Sequence, residues 1–216
     1  SCPARGNWNC PSLNFKNIEP NLKLLGVRDL ILTTPEAIKK IETNSSFHLT
    51  AKTASFKVYS LKEPVSLVEA IELEPAQIQD KTFKKDFMTW FYKWDGTQPH
   101  LIYSNHFDSV FKNKIYKDPK NKCVPSVEVN YNSITLDTPC PHFLHLLKFT
   151  YHPSWKTSTN DEIAPISPGF MALVPSEKKV TLRFGPSFDW SLSGLISLLT
   201  AIFIMLRVLN KRFCFF

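Results

Sequence analysis

The chain has 216 residues, 26 Lys and Arg against 19 Asp and Glu, and a formal net charge of +7. Charge is ordinary in amount and apolar and aromatic residues are plentiful, which excludes an intrinsically disordered tract. Sixteen prolines and only six glycines, many prolines standing between short apolar runs, suit a strand-rich fold with stiff loops.

The first twenty residues read as irregular, with Cys2 and Cys10 placed to close a small loop. Leu22–Leu32 begins as a short helix and turns strand-like after Gly26. Thr34-Pro35-Glu36 is a helix start: Thr34 can cap, Pro35 fits the first turn, and Glu36 suits the positive end of the dipole. Phe47–Thr53 and Ser55–Leu61 alternate as paired strands, and 66–73 reads as a further strand. Over 80–94, Phe83, Phe87, Trp90 and Trp94 recur at steps of four, three and four, the spacing of a helical stripe. Such a stripe packs inward in an ordinary domain; the same aromatics, Trp90 and Trp94 above all, would stack on sugar rings if exposed.

Residues 99–104 read as a short strand, followed by a lysine-rich stretch, Lys112 to Lys122. No nucleic-acid motif accompanies these lysines, so no nucleic acid is expected; the reading is a solvated basic face near a membrane. Beyond them the pattern is β. Val127, Val129 and Tyr131 alternate, then Ile134 and Leu136; 144–151, 170–174 and 180–184 follow, with a turn at 176–178. The expected fold class is α+β: a mixed α/β region over 1–125, an antiparallel β-sandwich over 126–188, a transmembrane helix over 189–209 and a cytoplasmic tail over 210–216.

The span rests on Trp190–Leu206, 17 residues without a charge, followed by Arg207, Lys211 and Arg212. Trp190 at one end and the basic set at the other are interface anchors, and the basic end belongs in the cytoplasm. Residues 1–188 are then extracytoplasmic, with membrane lipid as a partner. Four cysteines on that side allow three connectivities; Cys2–Cys10 and Cys123–Cys140 close the shortest loops.

Chemistry-bearing motifs are few. His142, His145 and His152 invite a zinc reading, but 142 and 145 fall on opposite faces of a strand. No CxxC pair, nucleophile elbow, P-loop or dinucleotide fingerprint is present. Asn44-Ser45-Ser46 matches an N-glycosylation acceptor.

Tyr151-His152-Pro153-Ser154-Trp155-Lys156 is more distinctive. It is followed by Ser167-Pro168-Gly169-Phe170-Met171, by Val174-Pro175, by a Val180-x-Leu182 strand, and then by the apolar segment. This order resembles the C-terminal outer domain and last helix of YfhO-like, GT-C glycosyltransferase-like polytopic membrane proteins. Some of these carry the label of 6-pyruvoyl-tetrahydropterin synthase-related membrane proteins. The resemblance is close over 145–206 and looser over 22–60, where Leu24-Leu25-Gly26-Val27-Arg28-Asp29-Leu30-Ile31 matches the start of that domain.

It implies a noncatalytic domain of a longer, multi-span parent that moves sugars from lipid-linked donors. Its partners would be the remaining membrane helices and a glycan or polyprenyl-linked sugar. The parent's catalytic acid would lie in an early loop outside this chain, so no catalytic, cofactor or metal residue is carried over. Tyr151 and Trp155, with Trp90 and Trp94, are the candidate glycan contacts. Two departures stand out: Ser154 replaces the usual Gly, and 160–162 lacks the usual Asp-Gly turn. The rival readings are a single-pass surface binding or adhesion domain and a membrane-anchored zinc hydrolase.

Overall fold

The computed structural model describes residues 18–79, 83–104, 123–185 and 188–213, with the side chains of the last helix described over 193–206. Helix α1 (Ile18–Leu24) leads to β1 (Asp29–Leu32), α2 (Pro35–Glu42), β2 (Phe47–Lys52) and β3 (Lys57–Leu61). Pro35 occupies the first turn of α2 as expected, and Thr34 is extended there, but its hydroxyl makes no capping hydrogen bond. The strands form an antiparallel sheet in the order β1-β3-β2. Ile18 and Leu22 of α1 and Ile41 of α2 close over Phe47, Tyr59 and Leu61, which makes a small core of its own.

The next elements are β4 (Val68–Ala70), β5 (Ala76–Ile78), α3 (Phe83–Lys93), β6 (Leu101–Tyr103), β7 (Ser126–Val129) and β8 (Ser133–Asp137). After them come β9 (His145–Thr150), β10 (Trp155–Thr157), β11 (Ile163–Ile166), β12 (Phe170–Leu173), β13 (Lys179–Phe184) and α4 (Phe188–Phe213). One sheet runs β10-β13-β8-β7, the other β4-β9-β12-β11-β6-β5.

The fold is α+β with mostly antiparallel strands, but its sheets do not divide at residue 126. Strands β4, β5 and β6 come from before that point and join β9, β11 and β12 in one sheet. The pair β5–β6 is parallel, which the sequence pattern did not indicate.

One core joins the two larger sheets. Val68, Leu147, Met171 and Leu173 from one meet Ile134, Leu136, Val180 and Leu182 from the other, all at most 2% exposed. Each such side chain contributes roughly 1.5–3 kcal/mol. Leu146, Ala164, Ile166 and Ala172 lie on the opposite face of the six-stranded sheet. With both faces covered, β9 is apolar at successive positions and not at alternate ones.

Lys148 ties the small sheet's helix to this body. Its buried ammonium donates to the Lys23 carbonyl and pairs with Glu69. Pro165 sits within β11, where it is tolerated because β11 meets β6 at the single pair Ile166–Ile102.

A helix forms where the transmembrane segment was expected, but a crossing is not shown. Among the described residues no helix is long and apolar enough to cross a membrane.

Candidate functional site

The Tyr151–Lys156 element builds the wall of an open cleft of about 490 Å³. Tyr151 follows β9 directly, and its backbone N–H donates to the Gly169 carbonyl at 3.0 Å. Gly169 has φ +117°, which explains glycine at this bend. Pro153 and Ser154 then turn the chain into β10. Here Trp155 pairs with Phe184 of β13 and lies edge-on to its ring, with centroids 5.2 Å apart. The His152 ring stands 5.3 Å from that of Phe184, and its Nδ1 accepts the Ser154 N–H at 3.1 Å.

Strand β10 is an edge strand of the four-stranded sheet. Thr157 points inward, Lys156 outward, and Trp155 is half-buried, its inner side against the shared core. The ring therefore has a packed side and an open side.

The far wall is the loop between β10 and β11. In place of an Asp-Gly turn it bends at Asn160, with φ 57°; asparagine tolerates this left-handed conformation better than most residues. Asp161 holds the loop: its Oδ2 accepts from the hydroxyls of Thr159 and Ser176 and from the Ser176 N–H, at 2.6, 3.0 and 2.9 Å. The Thr157 hydroxyl donates to the Asp161 carbonyl at 2.7 Å. Asp161 is thus a structural carboxylate, and Glu162 and Lys156 bring the nearby charges of the cleft. Burial raises the Tyr151 phenol above its ordinary range, and the charge of Glu162 adds to the effect.

This arrangement can offer a ring face to the apolar side of a sugar, an amide and hydroxyls to its polar edge, and an ammonium to an attached phosphate.

The structure brings Tyr151 and Trp155 together and separates them from Trp90 and Trp94. The last two are 8% and 6% exposed and sit in a core with Leu24, Ile78 and Leu101. Trp90 Nε1 donates to the Pro99 carbonyl at 2.8 Å, the two indoles are 4.7 Å apart, and His100 lies 5.0 Å from Trp94. Only edges of these indoles reach two smaller clefts. They are therefore removed from the candidate sugar contacts: Trp90 and Trp94 pack inward because α3 must bury one face.

Cys123 and Cys140 form a disulfide, with Cα atoms 6.0 Å apart. Cys2 and Cys10 lie outside the described residues. Beside the disulfide, buried His145 donates from Nδ1 to the Phe143 carbonyl and accepts at Nε2 from the Thr138 hydroxyl, each at 2.8 Å. Burial holds its pKa below the ordinary value.

Cys123, Cys140 and His145 are the one grouping among the described residues with metal-ligand proximity. With both sulfurs in a disulfide the group lacks the thiolates a zinc site needs. His142 and His152 are exposed and do not join it.

Sequence pattern did not reveal β5, β10 or β11, nor the contribution of Asn160 and Glu162 to the cleft. All three strands are only three or four residues long, too short for a period to register. Compared with protein-family models, curated proteins and solved structures, the chain matches none.

Proposed function

We propose that this chain is a noncatalytic, extracytoplasmic domain of a polytopic membrane protein and that it holds a glycan or a lipid-linked sugar during glycosyl transfer. One observation carries the reading: the Tyr-x-Pro-x-Trp-Lys element, which underlies the resemblance to YfhO-like proteins, forms the wall of an open aromatic cleft with Lys156 beside it. In this reading the two larger sheets are the two layers of a β-sandwich, and the cleft lies along its open seam.

The membrane placement is supported by α4. Leu195, Ile196, Leu198, Leu199, Ile202 and Phe203–Leu206 are each 45–64% exposed. At about 100° per residue these positions cover every side of the helix, not one stripe. A helix apolar all round needs an apolar surround on all sides, which a bilayer provides. The following Arg207, Lys211 and Arg212 orient its end toward the cytoplasm.

Calorimetric titration of the full chain in detergent micelles tests the reading, with a polyprenyl-phosphate-linked sugar and the matching free oligosaccharide as probes. Saturable binding is expected, weakened at least about tenfold by Trp155→Ala. Lys156→Gln should weaken the phosphate-bearing probe and spare the free oligosaccharide. Absence of binding, or equal binding by Trp155→Ala, would sink the proposal.

A further inference from the structure

The described residues place exposed aromatic and apolar side chains at the end of the strands from which α4 departs. The register of β13 defines this end. Trp155 stands opposite Phe184, the Phe184 N–H donates to the Asn132 carbonyl at 3.1 Å, and the Gly185 N–H donates to the Ser154 carbonyl at 3.3 Å. The β7–β8 turn is held by the Asn130 N–H on the Ser133 carbonyl at 2.8 Å, which puts Tyr131 at its tip. Tyr131 is 100% exposed, Val129 53% and Phe184 47%.

The opposite end of β13 is different in character: there Lys179 faces Asp137 on β8, and the Ser176–Lys178 turn is polar. The two ends are about 17 Å apart along the six residues of β13.

From Phe184 to the first residue of α4, Phe188, is four residue steps. Fully extended, these reach at most about 14 Å. If α4 enters the bilayer, the Tyr131 end is therefore held near the lipid headgroups. Its chemistry suits that position: aromatic rings with a polar handle at Tyr131 and Trp155, an apolar ring at Phe184, and exposed cations at Arg183 and Lys156. The carboxylate on the adjoining strand, Glu128, is paired with Thr135, one step further from the tip than Val129.

We propose that this end of the sheets, built from Tyr131, Val129, Trp155 and Phe184 with Arg183 and Lys156, is a docking surface for an anionic lipid headgroup layer. It rests on the reading that α4 is membrane-embedded. Docking there sets the cleft beside the membrane surface, where the sugar of a lipid-linked donor is presented.

The test uses the full chain reconstituted in phosphatidylcholine vesicles with and without phosphatidylglycerol. Benzoylphenylalanine is placed singly at Tyr131, at Lys178 on the far end and at Ile202 in α4. After photolysis, lipid adducts are counted by mass spectrometry. Tyr131 is fully exposed, so the substitution leaves packing untouched.

Adducts are expected at 131 and 202, with at least about tenfold fewer at 178. Changing Arg183→Gln should lower the yield at 131 about fivefold, the contribution of one cation at an anionic surface, and omitting phosphatidylglycerol, which removes the attraction to both Arg183 and Lys156, about 30-fold. Adducts at 202 with position 131 no better than 178 overturn the docking surface and leave the anchor standing. No lipid adduct at 202 overturns the anchor itself. A cross-link from 131 to a second copy of the chain assigns the surface to self-association and likewise ends the proposal.

Discussion

Two groups of aromatic residues, each containing tryptophan and histidine, differ in what surrounds them. Trp90 and Trp94 sit with His100 in a core flanked by Leu24, Ile78 and Leu101, where the Trp90 indole donates to the Pro99 carbonyl. Trp155 sits with His152 and Phe184 on an edge strand, packed on one side and open on the other. The residue types are the same; the supporting element differs. A helix lying on a sheet buries a whole stripe, whereas an edge strand turning over the rim of its sheet leaves a ring face in solvent. One group should therefore govern stability and the other binding.

The sharpest way to break this contrast is to truncate both groups. Trp94→Ala should lower unfolding free energy by about 3–5 kcal/mol, read by denaturant titration. A loss below about 1 kcal/mol would mean that Trp94 does not pack as core. Next in size is the disulfide. Cys140→Ser removes a link across 17 residues and should cost about 3 kcal/mol on the loop-entropy scale. Intact-mass measurement with and without reductant establishes the bond itself.

The core group should also carry an acid sensitivity. Burial pushes His100 down to about 4, outweighing its hydrogen bond to the Ser167 carbonyl. Between about pH 6.5 and 4 the unfolded chain takes up this proton and the folded chain does not. The contribution is thus complete above the unfolded value and is lost as pH falls through that window, by about 3 kcal/mol. Buried His145 acts in the same direction. His100→Asn should flatten much of the slope in stability between pH 6.5 and 4; an unchanged slope would remove His100 as its source.

The smallest stability effect belongs to the cleft. Trp155→Ala should cost only about 1–2 kcal/mol, since part of the ring is already in water, while removing the Trp155 part of the wall that the proposed sugar binding uses. If it proved as destabilising as Trp94→Ala, the ring would have to be counted as core.

Much of the fold was readable along the chain, for identifiable reasons. Helix α2 announced itself through Thr34-Pro35-Glu36, because proline at the first turn is a local preference. Strands β8 and β13 each turn one side to a core, through Ile134 and Leu136 and through Val180 and Leu182; β2 alternates in sequence too, although only Phe47 of it is buried. The Cys123–Cys140 pairing followed from short loop closure.

Strands β10 and β11 left no such mark. Each is too short to carry a period, and Pro165 argues against a strand until the single pair with β6 is seen. The cleft was half legible: Tyr151 and Trp155 were marked by their motif, whereas Asn160 and Glu162 reach it only through a loop that Asp161 ties to Ser176, 15 residues further along the chain.

The resulting division follows the range of the forces. Helix starts, strand alternation and the uncharged run of α4 depend on neighbours a few residues away, so they are written in local order. The six-stranded sheet, which gathers β4, β5 and β6 from before residue 126, depends on which edges remain unpaired once all strands are present. The same holds for exposure: an indole is equally apolar at 94 and at 155, and only the elements packed around it decide whether its face meets leucine or water.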